Sequence, residues 1–106
     1  MSGRFMRVLV FFDLPTSTAA ERRAYSIFRK ALIKDGFMMM QESVYCKLAL
    51  NPTAAKSIME SVRSMRPEKG IIQMLLITEK QFSRMEMVLG EFQTNIIDNE
   101  DRLVII

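Results

Sequence analysis

Two strand-like runs constrain this chain more than anything else in it: Met6 to Phe12 (MRVLVFF) and Ile71 to Thr78 (IIQMLLIT). Both are rich in β-branched or aromatic residues and apolar at almost every position. Strands of that kind are covered on both faces. Between them the period changes in an orderly way. Thr18 and Glu21 form a capping-box pattern that opens a helix with an inward face of Ala24, Phe28, Ala31 and Leu32. Asp35-Gly36 ends it. Phe37 to Met40 is a short second strand. Gln41-Glu42 makes a bend, and Ser43 to Leu50 is a third strand with Val44, Cys46, Leu48 and Leu50 on one face. Asn51-Pro52 caps a second helix whose stripe is Ala55, Ile58, Met59, Val62 and Met65. Pro67 and Gly70 break it before the fourth strand. Thr78 and Gln81 form a second capping box for a short helical turn. Met85 to Leu89 is a candidate fifth strand, and a polar loop leads to a closing apolar run, Leu103 to Ile106.

The order βαββαβ is the ferredoxin-like split-βαβ arrangement, an α+β fold with two helices on one face of an antiparallel sheet. Its 106 residues suit one domain, with a core over about residues 1–84 and a C-terminal extension over 85–106. Two helices cover only one face of the sheet. The simplest cover for the other is a second copy across a two-fold axis, a homodimer with its sheets packed face to face. The last strand, LVII, is then free to pair with the edge of the partner's sheet.

Composition narrows the chemistry. The chain has no histidine and one cysteine, Cys46, so histidine-based triads and nucleases and His- or Cys-ligated zinc sites are excluded. Any metal would be a hard, oxygen-seeking ion held by Asp or Glu. The lone cysteine, the absence of a signal-peptide cleavage pattern and the lack of a membrane-length apolar run point to the cytoplasm and to no membrane partner. Residues 1–84 carry a balance of +7 and residues 85–106 a balance of −4. A basic body suits a polyanionic partner, though charge also keeps an apolar small domain soluble.

Asp13 ends the first strand. It reads either as an Asx turn bonding a nearby backbone N–H or as a metal ligand. Face-to-face sheets could bring two copies of it together, and two carboxylates with waters and a phosphate suit magnesium. The first helix carries Arg22 and Arg29 on one flank and Arg23, Lys30 and Lys34 on another. These five are candidates for phosphate-backbone contact, against the alternative of a solvated outer face. Lys56, Arg63, Arg66 and Lys69 form a weaker patch interleaved with Glu60 and Glu68. Phe37 and Tyr45 could stack bases or belong to the core. The aromatic pattern of an RNA-recognition motif and a glycine-rich phosphate loop are both missing.

The stretch FFDLPTSTAAERRAYSIFRKALIKDGF, with QESVYCKL and GIIQMLLITEKQF after it, resembles the small ferredoxin-like CRISPR-associated protein of spacer acquisition. This is the non-integrase partner of the integrase subunit, in the form found in type II systems. The resemblance covers essentially the whole chain. It implies a homodimer whose last strands cross over, with Asp13 as the metal-binding aspartate, one per protomer. Magnesium or manganese is the implied cofactor. Arg22 and Arg23 match a basic region linked to nucleic-acid contact, and Ser43 neighbours the cleft. Some members resemble metal-dependent endonucleases acting on single-stranded RNA or double-stranded DNA. In the acquisition complex the dimer resembles a scaffold that supports duplex DNA and bridges integrase subunits. A catalytically silent adaptor and a regulatory module that senses a small molecule are the alternatives.

Overall fold

A computed structural model describes residues 5–90. Among them the elements run β1 (Met6–Asp13), α1 (Ala19–Lys34), β2 (Met38–Gln41), β3 (Val44–Ala49), α2 (Pro52–Ser64), β4 (Ile71–Thr78) and α3 (Glu79–Ser83). The sheet has the order β2-β3-β1-β4 and every pairing is antiparallel. The expected α+β split-βαβ arrangement is therefore present, with β1 in the interior between β3 and β4.

Local chemistry sets the element ends. The Thr18 hydroxyl accepts from Glu21 N–H while the Glu21 carboxylate accepts from Thr18 N–H, closing the first capping box. At the other end Gly36 N–H donates to Ile33 and Phe37 N–H to Leu32, a Schellman closure. Gly36 has φ +100°, a left-handed position that glycine occupies without a Cβ penalty. Asn51 Oδ1 accepts from Ala54 N–H, and Pro52 takes the first helical position, where its missing donor costs nothing. The second box, Thr78 with Gln81, opens α3.

The pleat sorts the strand residues into two sets. On the helix side Val8, Val10 and Phe12 of β1 meet Tyr45 and Ala49 of β3 and Ile72, Met74 and Leu76 of β4. Phe28 and Leu32 of α1 and Ala55 and Val62 of α2 close this core. Phe12 sits edge-on to Phe28 at 5.1 Å and to Tyr25 at 6.0 Å, and tilted against Tyr45 at 5.6 Å. Phe37 and Tyr45 are both buried, which removes them as base-stacking candidates. Buried side chains cannot present a ring face to a ligand.

Three expectations need correction or restriction. The second strand begins at Met38, because Phe37 plugs the core as the residue that completes the helix cap. Met85 to Leu89 is not a strand: it follows the α3 cap in irregular conformation, with Val88 89% and Leu89 93% exposed. β4 has β1 on one side, and no other described strand runs alongside it. The closing run Leu103 to Ile106 lies outside the described residues.

Candidate functional site

The second face of the sheet, away from α1 and α2, carries the question raised by the doubly apolar strands. Met38, Cys46, Leu9 and Leu75 form one cross-strand row. Val44, Phe11 and Gln73 form the next, and Leu48, Arg7 and Ile77 the one on the other side. Val44, Cys46 and Leu48 thus share one face as expected, and it is the face turned from the helices. Leu9 and Cys46 at its centre are buried, but Met38 is 67%, Ile71 58%, Leu75 49% and Leu48 40% exposed. An apolar surface spread over four strands of a small domain marks an interaction site.

Asp13 stands at the margin of that surface. Its last ladder partner is Ile71, and two-residue alternation places it with Leu9 and Phe11. The residue is exposed. Among the described residues no backbone N–H donates to its carboxylate, so the Asx-turn alternative is not realised. One residue earlier, Phe12 N–H donates to the Ser43 carbonyl at 3.1 Å, which seats the β2–β3 turn beside the strand end. The carboxylate is a hard oxygen donor suited to a divalent ion of the magnesium type. Among the described residues, however, no three His, Cys, Asp or Glu side chains converge to hold an ion.

The basic residues of α1 do not converge on Asp13. Arg22, Arg23, Lys30 and Lys34 are exposed and Arg29 is half-buried, on a helix that covers the other face of the sheet. Among the described residues none of the five forms a salt bridge. Arg22 is nonetheless engaged: its Nη1 donates to the carbonyls of Thr16 at 3.1 Å and Ser17 at 3.2 Å, bracing the β1–α1 turn. Arg23, Lys30 and Lys34 make the freer cationic flank. In the weaker patch Arg63 pairs with Glu60 at 3.8 Å. On the helix side a groove of about 420 Å³ runs between α1 and the end of α2, lined by Leu14, Tyr25, Ile27, Phe28, Met65 and Pro67 among others. Asp13 does not line it.

Sequence reasoning missed Arg7, a cation within an apolar strand. Its guanidinium grips Glu79 of α3 with both carboxylate oxygens, at 2.7 and 3.2 Å, and stacks on the Phe82 ring at 4.4 Å. The paired hydrogen bonds hold the Glu79 carboxyl below the usual carboxylate range and raise Arg7 above its ordinary value. This clasp fastens α3 against the N-terminal end of β1. The signal available in the sequence was the charge itself, since a lone Arg in a buried strand demands a partner.

The fold and the site together define a ferredoxin-like α+β protein with an exposed aspartate at the end of β1, on the face that its own helices leave uncovered. The sequence profile of the family described as "CRISPR associated protein Cas2" matches residues 6–85. A CRISPR-associated endoribonuclease Cas2 of Treponema denticola is 48% identical over 95% of this chain and 100% of its own length. One from Streptococcus mutans is 48% identical over 93% of this chain and 91% of its own. The same name belongs to a Campylobacter jejuni relative, 43% identical over 99% of this chain and 74% of its own. A solved Cas2 crystal structure superposes with a TM-score of 0.52 at 12% identity, covering 90% of this chain and 97% of that one, which supports the fold. The chain belongs to the Cas2 family of CRISPR-associated proteins.

Proposed function

We propose that this protein is a metal-dependent endonuclease of CRISPR adaptation that works as a homodimer, with RNA phosphodiesters as its first substrate class. The observation that carries the reading is the position of Asp13, exposed at the end of β1 on the margin of the uncovered apolar face and in register with Ile71. Packing two such faces across a two-fold axis hides the apolar surface and supplies two carboxylates to one cleft. Full-length relatives at 48% identity named as endoribonucleases support the reaction class. A magnesium or manganese ion, when bound, supplies the activation of a water and the stabilisation of the departing oxygen. The chain's own part is to present Asp13 on a rigid strand end and to hold the polyanion through the α1 cations.

The test is Asp13→Asn, which keeps the shape and removes the charge. Cleavage of single-stranded RNA and of duplex DNA with added metal is expected to fall at least a hundredfold, with nucleic-acid binding unchanged. Undiminished cleavage by the pure variant would overturn the assignment.

The second reading is a bridging adaptor that supports duplex DNA and docks the integrase subunit. The separation of the α1 cations from Asp13 favours it, because the basic helix and the carboxylate occupy opposite faces of one sheet. An adaptor can use the two faces independently. A nuclease has to bring one substrate to both, and in a dimer the nucleic acid can wrap from one face to the other. If Asp13→Asn leaves integrase-dependent spacer acquisition intact, bridging is the physiological role and cleavage is separable from it.

A further inference from the structure

We infer that Gly70 is a positioning residue for Asp13, an inference that rests on the reading of Asp13 as the reacting carboxylate. Gly70 is the last residue before β4, one position ahead of Ile71, the ladder partner of Asp13. Its φ is +109°, outside the range that L side chains readily adopt. A Cβ built there would lie 2.5 Å from Leu14 Cδ2, 2.9 Å from the Asp13 carbonyl oxygen and 3.2 Å from Leu14 Cα. The turn that leaves α2 therefore closes directly onto the Asp13–Leu14 peptide, with no side chain between them.

Three restraints meet at that peptide. The β4 ladder holds Asp13 from one side, Phe12 is tied to Ser43 on the other, and the Leu14 side chain is buried just beyond it. Gly70 closes the remaining side. Carbonyl and side chain hang from the same Cα, so a displacement of the Asp13 carbonyl also re-aims the carboxylate. Ligand geometry tolerates only about half an ångström of misplacement. A methyl group at 2.9 Å from backbone oxygen cannot be accommodated without a shift of that order, because backbone cannot swing aside as a side chain can.

Gly36 provides a matched control. It also has a left-handed φ, +100°, but a Cβ there would meet only Cε and Nζ of Lys47 at 3.2 Å, the far end of a flexible side chain. Gly36→Ala thus imposes a comparable backbone strain without touching β1.

The experiment compares Gly70→Ala, Gly36→Ala and Asp13→Asn in the full chain, at a temperature where urea titration shows each to be folded. For Gly70→Ala, kcat for metal-dependent RNA cleavage is expected to fall tenfold or more with KM within twofold. In a manganese titration, paramagnetic broadening of the Asp13 and Leu14 amide resonances should need about tenfold more metal. Gly36→Ala should match wild type in both readouts. Should Gly70→Ala not fold, Leu14→Met is added, which conserves volume and removes the Cδ2 branch while the approach to the Asp13 carbonyl remains. The loss of kcat should persist in that double variant. Wild-type kcat and wild-type manganese response in the Gly70 variants, with Asp13→Asn inactive, would refute the positioning role alone. Full activity in Asp13→Asn would refute the Asp13 reading and this inference with it.

Discussion

Leu75 offers the sharpest test of the two-sided sheet. It lies on β4 in the row Met38–Cys46–Leu9–Leu75, on the face turned from the helices, and is 49% exposed. Leu75→Lys should break a face-to-face dimer while sparing the fold. Full burial of a leucine side chain is worth about 1.5–3 kcal/mol, so hiding its exposed half contributes about 1 kcal/mol per copy and about 2 kcal/mol per dimer. Leu75→Ala should therefore weaken dimerisation roughly 30-fold. Lysine adds the cost of desolvating an ammonium in each protomer, several kcal/mol per ion, which brings the total above about 4 kcal/mol and the loss above roughly a thousandfold. The monomer should lose no more than about 1 kcal/mol, because the site is already half in water. Sedimentation velocity over a dilution series reads the first effect, and urea unfolding of the dilute protein reads the second. A dimer constant unchanged within threefold for Leu75→Lys would show that this face is not the interface. A wild-type protein that stays monomeric at every concentration would do the same.

Other outcomes follow from the same geometry. Phe12→Ala empties the site shared by Tyr25, Phe28 and Tyr45 and should cost about 3–5 kcal/mol in urea unfolding, with an unchanged m value. Glu79→Gln should cost about 1 kcal/mol, since the pair with Arg7 is partly exposed and solvent-screened. The wild-type pH profile should carry the matching sign. The Glu79 carboxyl is depressed in the folded state, so its contribution is full above the unfolded carboxylate value and is lost as pH falls through the folded one; Glu79→Gln should lack that step. Reversing Arg23 and Lys30 to Glu should weaken nucleic-acid binding and flatten its salt dependence while leaving the urea midpoint nearly unchanged. An unaltered salt slope would remove α1 from the interface.

Much of this protein was legible in its sequence because the deciding interactions are local. Capping boxes at Thr18 and Thr78, the Asn51-Pro52 start and the Asp35-Gly36 stop each involve residues within about four positions of one another, and all occur where the pattern places them. The doubly apolar strands announced a second apolar face, and the carboxylate at the end of β1 was visible as a break in that run. Sequence could not decide whether Asp13 bonds its own turn. Nor could it tell that Arg22 turns back onto Thr16 and Ser17 and so differs from Arg23 beside it. Met85 to Leu89 read as a strand because it is apolar, but a strand exists only where another lies beside it.

What tertiary structure decided is which residues share a face and which backbones touch. Asp13 joins the uncovered side through its register with Ile71, 58 positions along the chain, and α1 takes its cations to the opposite side. Arg7 finds Glu79 across 72 residues, and Gly70 meets the Asp13 carbonyl from the far side of α1, β2, β3 and α2. Pairings of that span depend on the closed sheet, which no local window contains. The sequence by itself determined the elements and the carboxylate that ends the first of them; the packed sheet determined where that carboxylate points and what holds it there.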